Sequence, residues 1–339
     1  MSAATTGPTM RALQYTEQDR AEVVERPVPQ VAPDEVLVAA RSVGVCHSDI
    51  DLLEGRYIIP FSYPLVPGHE WAGEVAAVGA DVTSWSVGDR VVGECVIGAD
   101  HFGFSISGAA AEYFVARPEW LHRLPDGLSW TMGALVEPFS VAYYALVRAG
   151  GVDASDTVVI LGAGPVGLAV VAAARAMGAR VVAVEPSEDR RRTALSLGAH
   201  HAVAPEDLDA QLEAIGSGHG AEVVVEVSGR PAVMARALEV AAFQGRIAYV
   251  GIDVGQQASA SLGLIQSKEL RITGSIGSPG VWPETLRFLA QSGIDLSEVV
   301  TQQFALDDAV AALAAAHDPA RTIKAHISFE AAVPFVPGG

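Results

Sequence analysis

The chain has 339 residues and a mass of 35.2 kDa; half of it is hydrophobic, 18% is charged, and its formal net charge is −18. That length suits about two domains of roughly 100–200 residues each, each able to bury a core without disulfides, and the composition excludes a disordered chain. The acidic balance excludes a general nucleic-acid binder or a protein of anionic membranes, and the two cysteines, Cys46 and Cys95, exclude a disulfide framework and a four-cysteine zinc finger.

From the amino terminus, Met1 to Thr9 shows no basic segment followed by an apolar core. It therefore reads as a frayed tail and not a secretory signal. A first strand is expected near Met10 (MRALQY), followed by EVLVAARSVG, EWAGEVAAVG, DRVVGECVIG and AAEYFVA, short β-type runs punctuated by Gly and Pro. They predict an antiparallel, partly closed β domain. After Gly150 the pattern becomes strand–helix–strand: TVVILGAG, then the helix PVGLAVVAAARAMGA, then RVVAVEP. DRRRTALSLGA, AEVVVEVSG, AVMARALEVAA, GRIAYVGI and ELRITGSIG continue the alternation. Continuous apolar strands alternating with helices predict a parallel sheet covered on both faces. PETLRFLAQSG and DDAVAALAAAHDP are helical, and IKAHISF closes the chain as a strand.

The longest apolar stretches are interrupted by Glu137 and Pro138 and by Pro165 and Arg175. Neither reaches the ~20 apolar residues of a membrane span, so the expectation is an acidic, soluble, cytoplasmic protein. Of 22 basic residues only Lys268 and Lys324 are lysines, which with the abundant alanine reads as coding bias.

Gly162-Ala163-Gly164-Pro165-Val166-Gly167 fits the G-x-G-x-x-G template of a dinucleotide-binding loop. The hexapeptide alone is common, but here it leaves an apolar strand, opens a helix, and precedes a second strand ending in Glu185. Gly162 then permits the turn, Gly164 lets backbone approach a pyrophosphate, and Gly167 lets the helix pack close to the sheet. The helix start offers unpaired N–H groups to the phosphates. Glu185 is placed to accept hydrogen bonds from the adenosine ribose and to repel a 2′-phosphate, which favours NAD over NADP. Arg190, Arg191 and Arg192 leave NADP open, with Arg190 expected over the adenine or on the ribose and its neighbours on a solvated face.

Upstream stand Cys46, in GVCHSDID, and His69-Glu70, in PGHEWAGEV. Each has a plain reading: a buried thiol, or a satisfied polar pair. Together they are the thiolate, imidazole and carboxylate of a catalytic zinc site, where three protein ligands leave one position open. Glu137, inside the apolar run ALVEPFS, is costly to bury unless paired or metal-bound, although it also suits a helix start before Pro138. Adjacent strand residues point to opposite faces, so His69 and Glu70 share an ion only if Pro67 and Gly68 bend the backbone. Otherwise Glu70 stands behind the ligands and Glu137 completes the site, directly or through water.

The run Gly68 to Val82, GHEWAGEVAAVGADV, resembles the zinc-containing alcohol dehydrogenase signature of the medium-chain dehydrogenase/reductase superfamily, and the likeness extends from about Met10 to Phe329. It implies an α/β architecture: a GroES-like β-rich catalytic domain, residues 1–147 and 287–339, around a doubly wound Rossmann domain, residues 148–286. Glu137-Pro138 is similar to the polyol (sorbitol) dehydrogenase branch. By that likeness Cys46, His69 and Glu70 are ligands of one catalytic Zn2+, with Glu137 a further ligand or a group held through water. The lobe that carries a structural zinc in many relatives offers only Cys95 here, so no structural zinc is expected.

The same likeness assigns NAD contacts to Val166, Glu185, Arg190, Ser228, Val250, Gly251, Ile252, Ser275 and Ile276, and sets His47 near the pyrophosphate, although a plain exposed histidine fits that position equally. By that likeness a proton relay starts at Ser48, and Asp51 stands where relatives carry its terminal histidine, so the terminal base is altered or the proton leaves through water. Sorbitol dehydrogenases carry a substrate-reading arginine where this chain has Gly277. Tyr57, Phe61, Phe102 and Phe104 are candidate cleft residues, although aromatic residues in such loops as often serve plain packing. The reaction implied is hydride transfer between a secondary alcohol (a polyol, cyclitol or sugar alcohol) and NAD, with a 3-hydroxy amino acid or a less polar alcohol as alternatives. A zinc-free reductase or a cofactor-binding protein without turnover is the rival class. An exposed sheet edge at GRIAYVGI or ELRITGSI predicts a homodimer or homotetramer.

Overall fold

The computed structural model describes residues 8–252 and 255–330, and the chain divides into two compact units, residues 1–137 with 300–339 and residues 138–299. Most of the expected frayed tail, Met1 to Gly7, lies outside the described residues.

The first unit opens with a hairpin of β1 (Thr9–Glu17) and β2 (Arg20–Pro27). The Val-rich β3 (Val36–Val45) is buried along almost its whole length and leads directly into a two-turn helix, α1 (His47–Leu53). Then come β4 (Glu70–Val78), β5 (Arg90–Gly93), the small hairpin β6 (Val96–Ile97) and β7 (Asp100–His101), β8 (Tyr113–Ala116) and β9 (Leu121–Arg123). Two helices follow, α2 (Trp130–Ala134), whose first turn is capped by the Ser129 hydroxyl, and α3 (Val136–Arg148).

The second unit alternates β10 (Thr157–Leu161), α4 (Pro165–Ala176), β11 (Arg180–Val184), α5 (Glu188–Ser196), β12 (His201–Val203), α6 (Leu208–Ala214), β13 (Ala221–Glu226), α7 (Pro231–Val240) and β14 (Ala241–Tyr249). It ends with α8 (Gly263–Ser267), β15 (Arg271–Gly274) and α9 (Trp282–Ser292). The chain then returns to the first unit as β16 (Val300–Ala305), α10 (Ala309–Ala316) and β17 (Lys324–Ser328).

The unit boundaries fall at 137/138 and 299/300, where the sequence suggested 147/148 and 286/287. Packing explains the difference. On α3, Phe139 and Tyr143 lie 6.2 and 5.4 Å from Phe288 of α9, and Ser140 on α3 hydrogen-bonds Ser278 at 2.6 Å. From Pro138 onward α3 therefore packs with α9 in the second unit.

In the first unit the main sheet runs β16–β17–β3–β4–β5–β9, with β8 also on β3. It is mixed and not wholly antiparallel, because β16 and β17 run parallel across the α10 crossover. Its core gathers Leu13, Tyr15, Trp71, Phe102 and Phe114 with Leu306, Leu313 and Ile327 from the returning chain. In the second unit six strands run parallel in the order β12–β11–β10–β13–β14–β15. With right-handed crossovers, the reversal at β10 sends the helices of the two halves to opposite faces. Of the two edge candidates, β15 ends the sheet and β14 is interior, paired on both sides.

Candidate functional site

Cys46 leaves β3 as the residue before α1, and its backbone N–H donates to the Asp49 carboxylate at 2.8 Å. Asp49 also lies 3.4 Å from Nδ1 of His69. A carboxylate at that nitrogen orients the ring and leaves its other nitrogen for a metal. Gly68, at φ +99, bends the chain just before His69, and a Cβ there would lie 2.9 Å from the Ala110 nitrogen. The strand itself begins only at Glu70. This bend resolves the adjacency problem, because donor atoms of Cys46, His69 and Glu70 all lie within 4.8 Å of one another.

Glu70 pairs in register with Gly44 of β3, and a Cβ at Gly44 would fall 2.2 Å from Glu70 Oε2. The missing side chain is therefore the space the carboxylate occupies. The Lys324 ammonium stands 2.6 Å from both oxygens of that carboxylate. Burial opposes a charge on His69, but Asp49 and the neighbouring Cys46 outweigh it and raise the basicity of the imidazole above its ordinary value. A soft sulfur, an imidazole and a buried carboxylate within 4.8 Å of one another are the donor set of a divalent zinc site, so these residues fit the ion.

Glu137 is the second residue of α3 and is buried, but it falls outside that group of three. It accepts a weak hydrogen bond from Cys95 Sγ at 3.6 Å. Burial pushes its carboxyl up to about 7. Cys95 is thus a neighbour of Glu137. Ser48 is half-buried and His47 exposed in the first turn of α1. Asp51 lies 3.1 Å from the Arg56 guanidinium. Of the aromatic candidates, Phe104 sits 4.5 Å from the His69 ring and stacks on Tyr57 at 4.4 Å. Phe102 instead packs into the core against Trp71 and Phe114, and Phe61 lies against Tyr63.

In the second unit the glycine loop follows β10 and opens α4, with Pro165 as the first helical residue and Val166 behind it. Gly162 adopts φ +110. A Cβ at Gly167 would meet the Gly162 carbonyl oxygen at 2.1 Å, whereas one at Gly164 would find its nearest neighbour, Arg190 Nη1, at 3.9 Å. Packing therefore requires the third glycine, and the second faces open space that a ligand's phosphates suit. A cavity of about 390 Å³ adjoins the loop, lined by Gly162, Gly164, Glu185, Arg190, Ser228 and Arg230 among others.

Both Glu185 oxygens are already fixed, Oε2 by the Ala163 N–H at 2.9 Å and Oε1 by the Ser187 N–H at 3.0 Å. Arg191 donates to the carbonyls of Glu185 and Pro186, and Arg192 pairs with Asp189. Of the three consecutive arginines, Arg190 lines the cavity. Ser228 follows β13, Val250, Gly251 and Ile252 follow β14, and Ser275 and Ile276 follow β15. All stand at the carboxyl ends of parallel strands, where open α/β sheets bind ligands. Close packing there is tight: a Cβ on Gly251 would sit 2.0 Å from the Gly229 nitrogen. Ile252 and Ile276 are exposed, and the buried Ser275 hydroxyl has no hydrogen-bond partner.

Two site residues escaped the sequence reading. Asp49 had a local signal, an acidic residue three positions after the helix-leading Cys46, as in a capping box. Lys324 had a fainter one, a lysine in the apolar strand IKAHISF of a chain that otherwise uses arginine.

Comparison with known proteins agrees with this geometry. Residues 165–291 match the zinc-binding dehydrogenase family, and residues 32–126 match the alcohol dehydrogenase GroES-like domain. The chain is similar to sorbitol dehydrogenase of Bacillus subtilis, 33% identical over 306 residues that cover 83% of this chain and 86% of that one. Among solved structures it resembles 2R,3R-butanediol dehydrogenase of Bacillus subtilis, with 29% identity, a TM-score of 0.85, and coverage of 95% of this chain and 100% of that one. It also resembles a zinc-binding dehydrogenase of Sinorhizobium meliloti bound to NADP, at 26% identity and a TM-score of 0.86, covering 95% and 99% of the two chains. Among the described residues no helix is long and apolar enough to cross a membrane.

Proposed function

This chain belongs to the zinc-binding alcohol dehydrogenase family of NAD(P)-dependent oxidoreductases, and from that premise we propose that it oxidises a secondary alcohol of the polyol, cyclitol or sugar-alcohol class with one catalytic zinc and NAD. The convergence of Cys46, His69 and Glu70 carries the reading. Those three residues would hold zinc, which would supply Lewis acidity, and bound NAD would supply the hydride acceptor.

The remaining work falls to the chain. Asp49 orients His69, and Phe104 and Tyr57 wall its ring from water. Ser48 takes the proton from the substrate hydroxyl. From Ser48 the proton leaves by way of Asp51, which lies 3.1 Å from the Arg56 guanidinium, or through water. Glu137, with its raised carboxyl, holds or moves a proton beside the ligands near neutral pH. The glycine loop binds the pyrophosphate, and His47 assists it. Glu185 binds the adenosine ribose and disfavours a 2′-phosphate, and the engagement of Arg191 and Arg192 elsewhere supports NAD over NADP.

Gly277, at φ +59, brings no guanidinium to the position that reads sorbitol in relatives. That favours a cyclitol or a less polar diol over sorbitol itself. The 3-hydroxy amino acid stays as the alternative for the same reason. The domain assignment proposed is catalytic for residues 1–137 with 300–339 and nucleotide-binding for residues 138–299. Because β15 ends its sheet with Ile272 and Ile276 exposed, a homodimer formed by pairing this edge is proposed as the assembly, with a tetramer as its multiple.

Metal analysis with a substrate panel tests the whole reading. Near one zinc per chain, chelator-sensitive NAD reduction with polyols or cyclitols, and a dimer or tetramer by light scattering are expected. A metal-free protein with chelator-insensitive reductase activity would falsify it.

A further inference from the structure

The chain has two cysteines, and the topology brings both to one end of the catalytic sheet. Cys46 follows the end of β3, His69 and Glu70 stand at the start of β4, and Cys95 comes just after the end of β5. Because β4 runs antiparallel to both neighbours, these three places lie side by side. The Cys95 backbone is fixed there. Its carbonyl accepts from the Phe102 N–H at 2.8 Å, and Phe102 is anchored in the core against Trp71 and Phe114. Gly93 lets Trp71 close on the end of β5, where a Cβ would lie 2.3 Å from the indole. From this fixed point the Cys95 thiol donates to Glu137 Oε1 at 3.6 Å.

We propose that Cys95 is a positioning residue: its thiol holds the Glu137 carboxylate apart from Cys46, His69 and Glu70, so that three protein donors bind the metal and a fourth position stays open for substrate. The inference rests on those three residues being the ligands.

Three observations carry it. First, Glu137 is an oxygen donor near enough to compete for the ion. It is buried and its carboxyl feels the charges of His69 and Glu70, yet it stands outside the group of three. A second carboxylate on the ion would close the position that a catalytic zinc keeps open. Second, Glu137 is the second residue of α3, so its backbone is set by the helix and only side-chain torsions decide where its oxygens go. A donor at Oε1 selects among those rotamers. Third, the donor is a neutral thiol from a fixed backbone. It steers the carboxylate without placing a further charge beside the ion, and as a weak donor its hold is modest.

The test uses the full-length protein, stripped with a chelator and reloaded with Zn2+ or Co2+. Cys95→Ala removes the thiol and should let Glu137 join the metal. Zinc should bind about tenfold or more tightly in chelator competition, and the visible spectrum of the Co2+ form should change as an oxygen donor is added. The same substitution in a Glu137→Gln background separates positioning from packing. With the carboxylate gone, Cys95→Ala should leave zinc affinity within about twofold of Glu137→Gln alone.

Zinc affinity that is unchanged or weaker in Cys95→Ala overturns the role of Cys95, as does an unchanged Co2+ spectrum. An equal gain in both backgrounds overturns it too, because a packing effect does not need the carboxylate. If Cys95→Ala fails to fold, Cys95→Val keeps the bulk without the donor and is read by the same criteria. Failure of the unsubstituted protein to bind zinc, or binding indifferent to Cys46→Ala, overturns instead the ligand reading beneath it.

Discussion

The two units assemble their functional residues by opposite means. In residues 138–299 the loop Gly162–Gly167, Glu185 and Ser228 lie on the turns after β10, β11 and β13, each placed by its own strand and helix. In the other unit the donors come from the end of β3, the loop before β4 and, through Lys324, from β17 near the carboxyl terminus. The first arrangement is local backbone geometry. The second is long-range electrostatics made possible by absent side chains, Gly44 above all. Substitutions in the two units should therefore fail differently, by steric exclusion in one and by loss of charge balance in the other.

Removing a metal donor should have the largest effect and should leave the nucleotide unit intact. In Cys46→Ala or His69→Ala, zinc content should fall to near zero and kcat/KM for the alcohol by about 10³-fold or more, since Lewis-acid stabilisation is worth several kcal/mol. NADH binding, followed by fluorescence, should change little. Loss of NADH binding in these variants would break the separation between the units.

The glycine loop offers the reverse case, and two alanines sharpen it. Gly167→Ala drives a methyl group to 2.1 Å from a backbone oxygen, and should cost about 1–3 kcal/mol of stability, the usual range for overpacking. Gly164→Ala meets nothing closer than 3.9 Å. It should leave the melting temperature nearly unchanged yet weaken NAD by about tenfold or more, because the added methyl occupies ligand space. Equal thermal losses in the two variants would remove the distinction between packing glycine and phosphate-facing glycine.

This contrast also explains what could be read from the sequence. The parallel sheet, the loop and Glu185 were visible because their spacing along the chain fixes their spacing in space. Cys46 and His69-Glu70 were visible as residue types, but their convergence depended on the φ of Gly68 and on the empty position at Gly44, neither of which has a periodic signature. Lys324 was invisible as a site residue because its partner is distant along the chain, so its one signal was taken as coding bias. The polar faces of β2 and β16 likewise hid two strands. VTQQFA alternates half-buried and exposed residues, and it is a strand because β17 pairs with it.

Glu185 gives a smaller, more selective effect. Its two oxygens already accept backbone N–H bonds, so the carboxylate is pre-oriented toward its ribose. Glu185→Gln keeps the shape and removes the charge. The loss of charged hydrogen bonds, about 1.5–3 kcal/mol, predicts roughly a tenfold to hundredfold lower kcat/KM with NAD and a relative gain for NADP. An unchanged ratio of NAD to NADP efficiency would mean that Arg190, not Glu185, governs the choice.

The smallest effect tests whether buried polar groups in the catalytic unit leave a pH signature that local geometry would not. His326 on β17 is buried, with Nδ1 3.0 Å from the Ser42 hydroxyl, and burial, aided by nearby Lys324, pushes its imidazole down to about 3. Below the unfolded value of about 6.5 the unfolded chain takes a proton that the folded ring refuses, so stability is full above that pH and falls as pH drops toward 3. The slope from this one group is about 1.4 kcal/mol per pH unit. In His326→Leu the Ser42 hydroxyl loses its partner at every pH, which lowers stability by a constant and leaves the slope as the readout. Denaturant unfolding of the chelated protein at pH 7.5 and 5.5 should show the unsubstituted chain losing about 1.4 kcal/mol more than the variant between those values. Parallel losses would mean that the ring is protonated in the folded state, and Lys324 could not then stand beside it as a second charge on the same strand without a further anion between them.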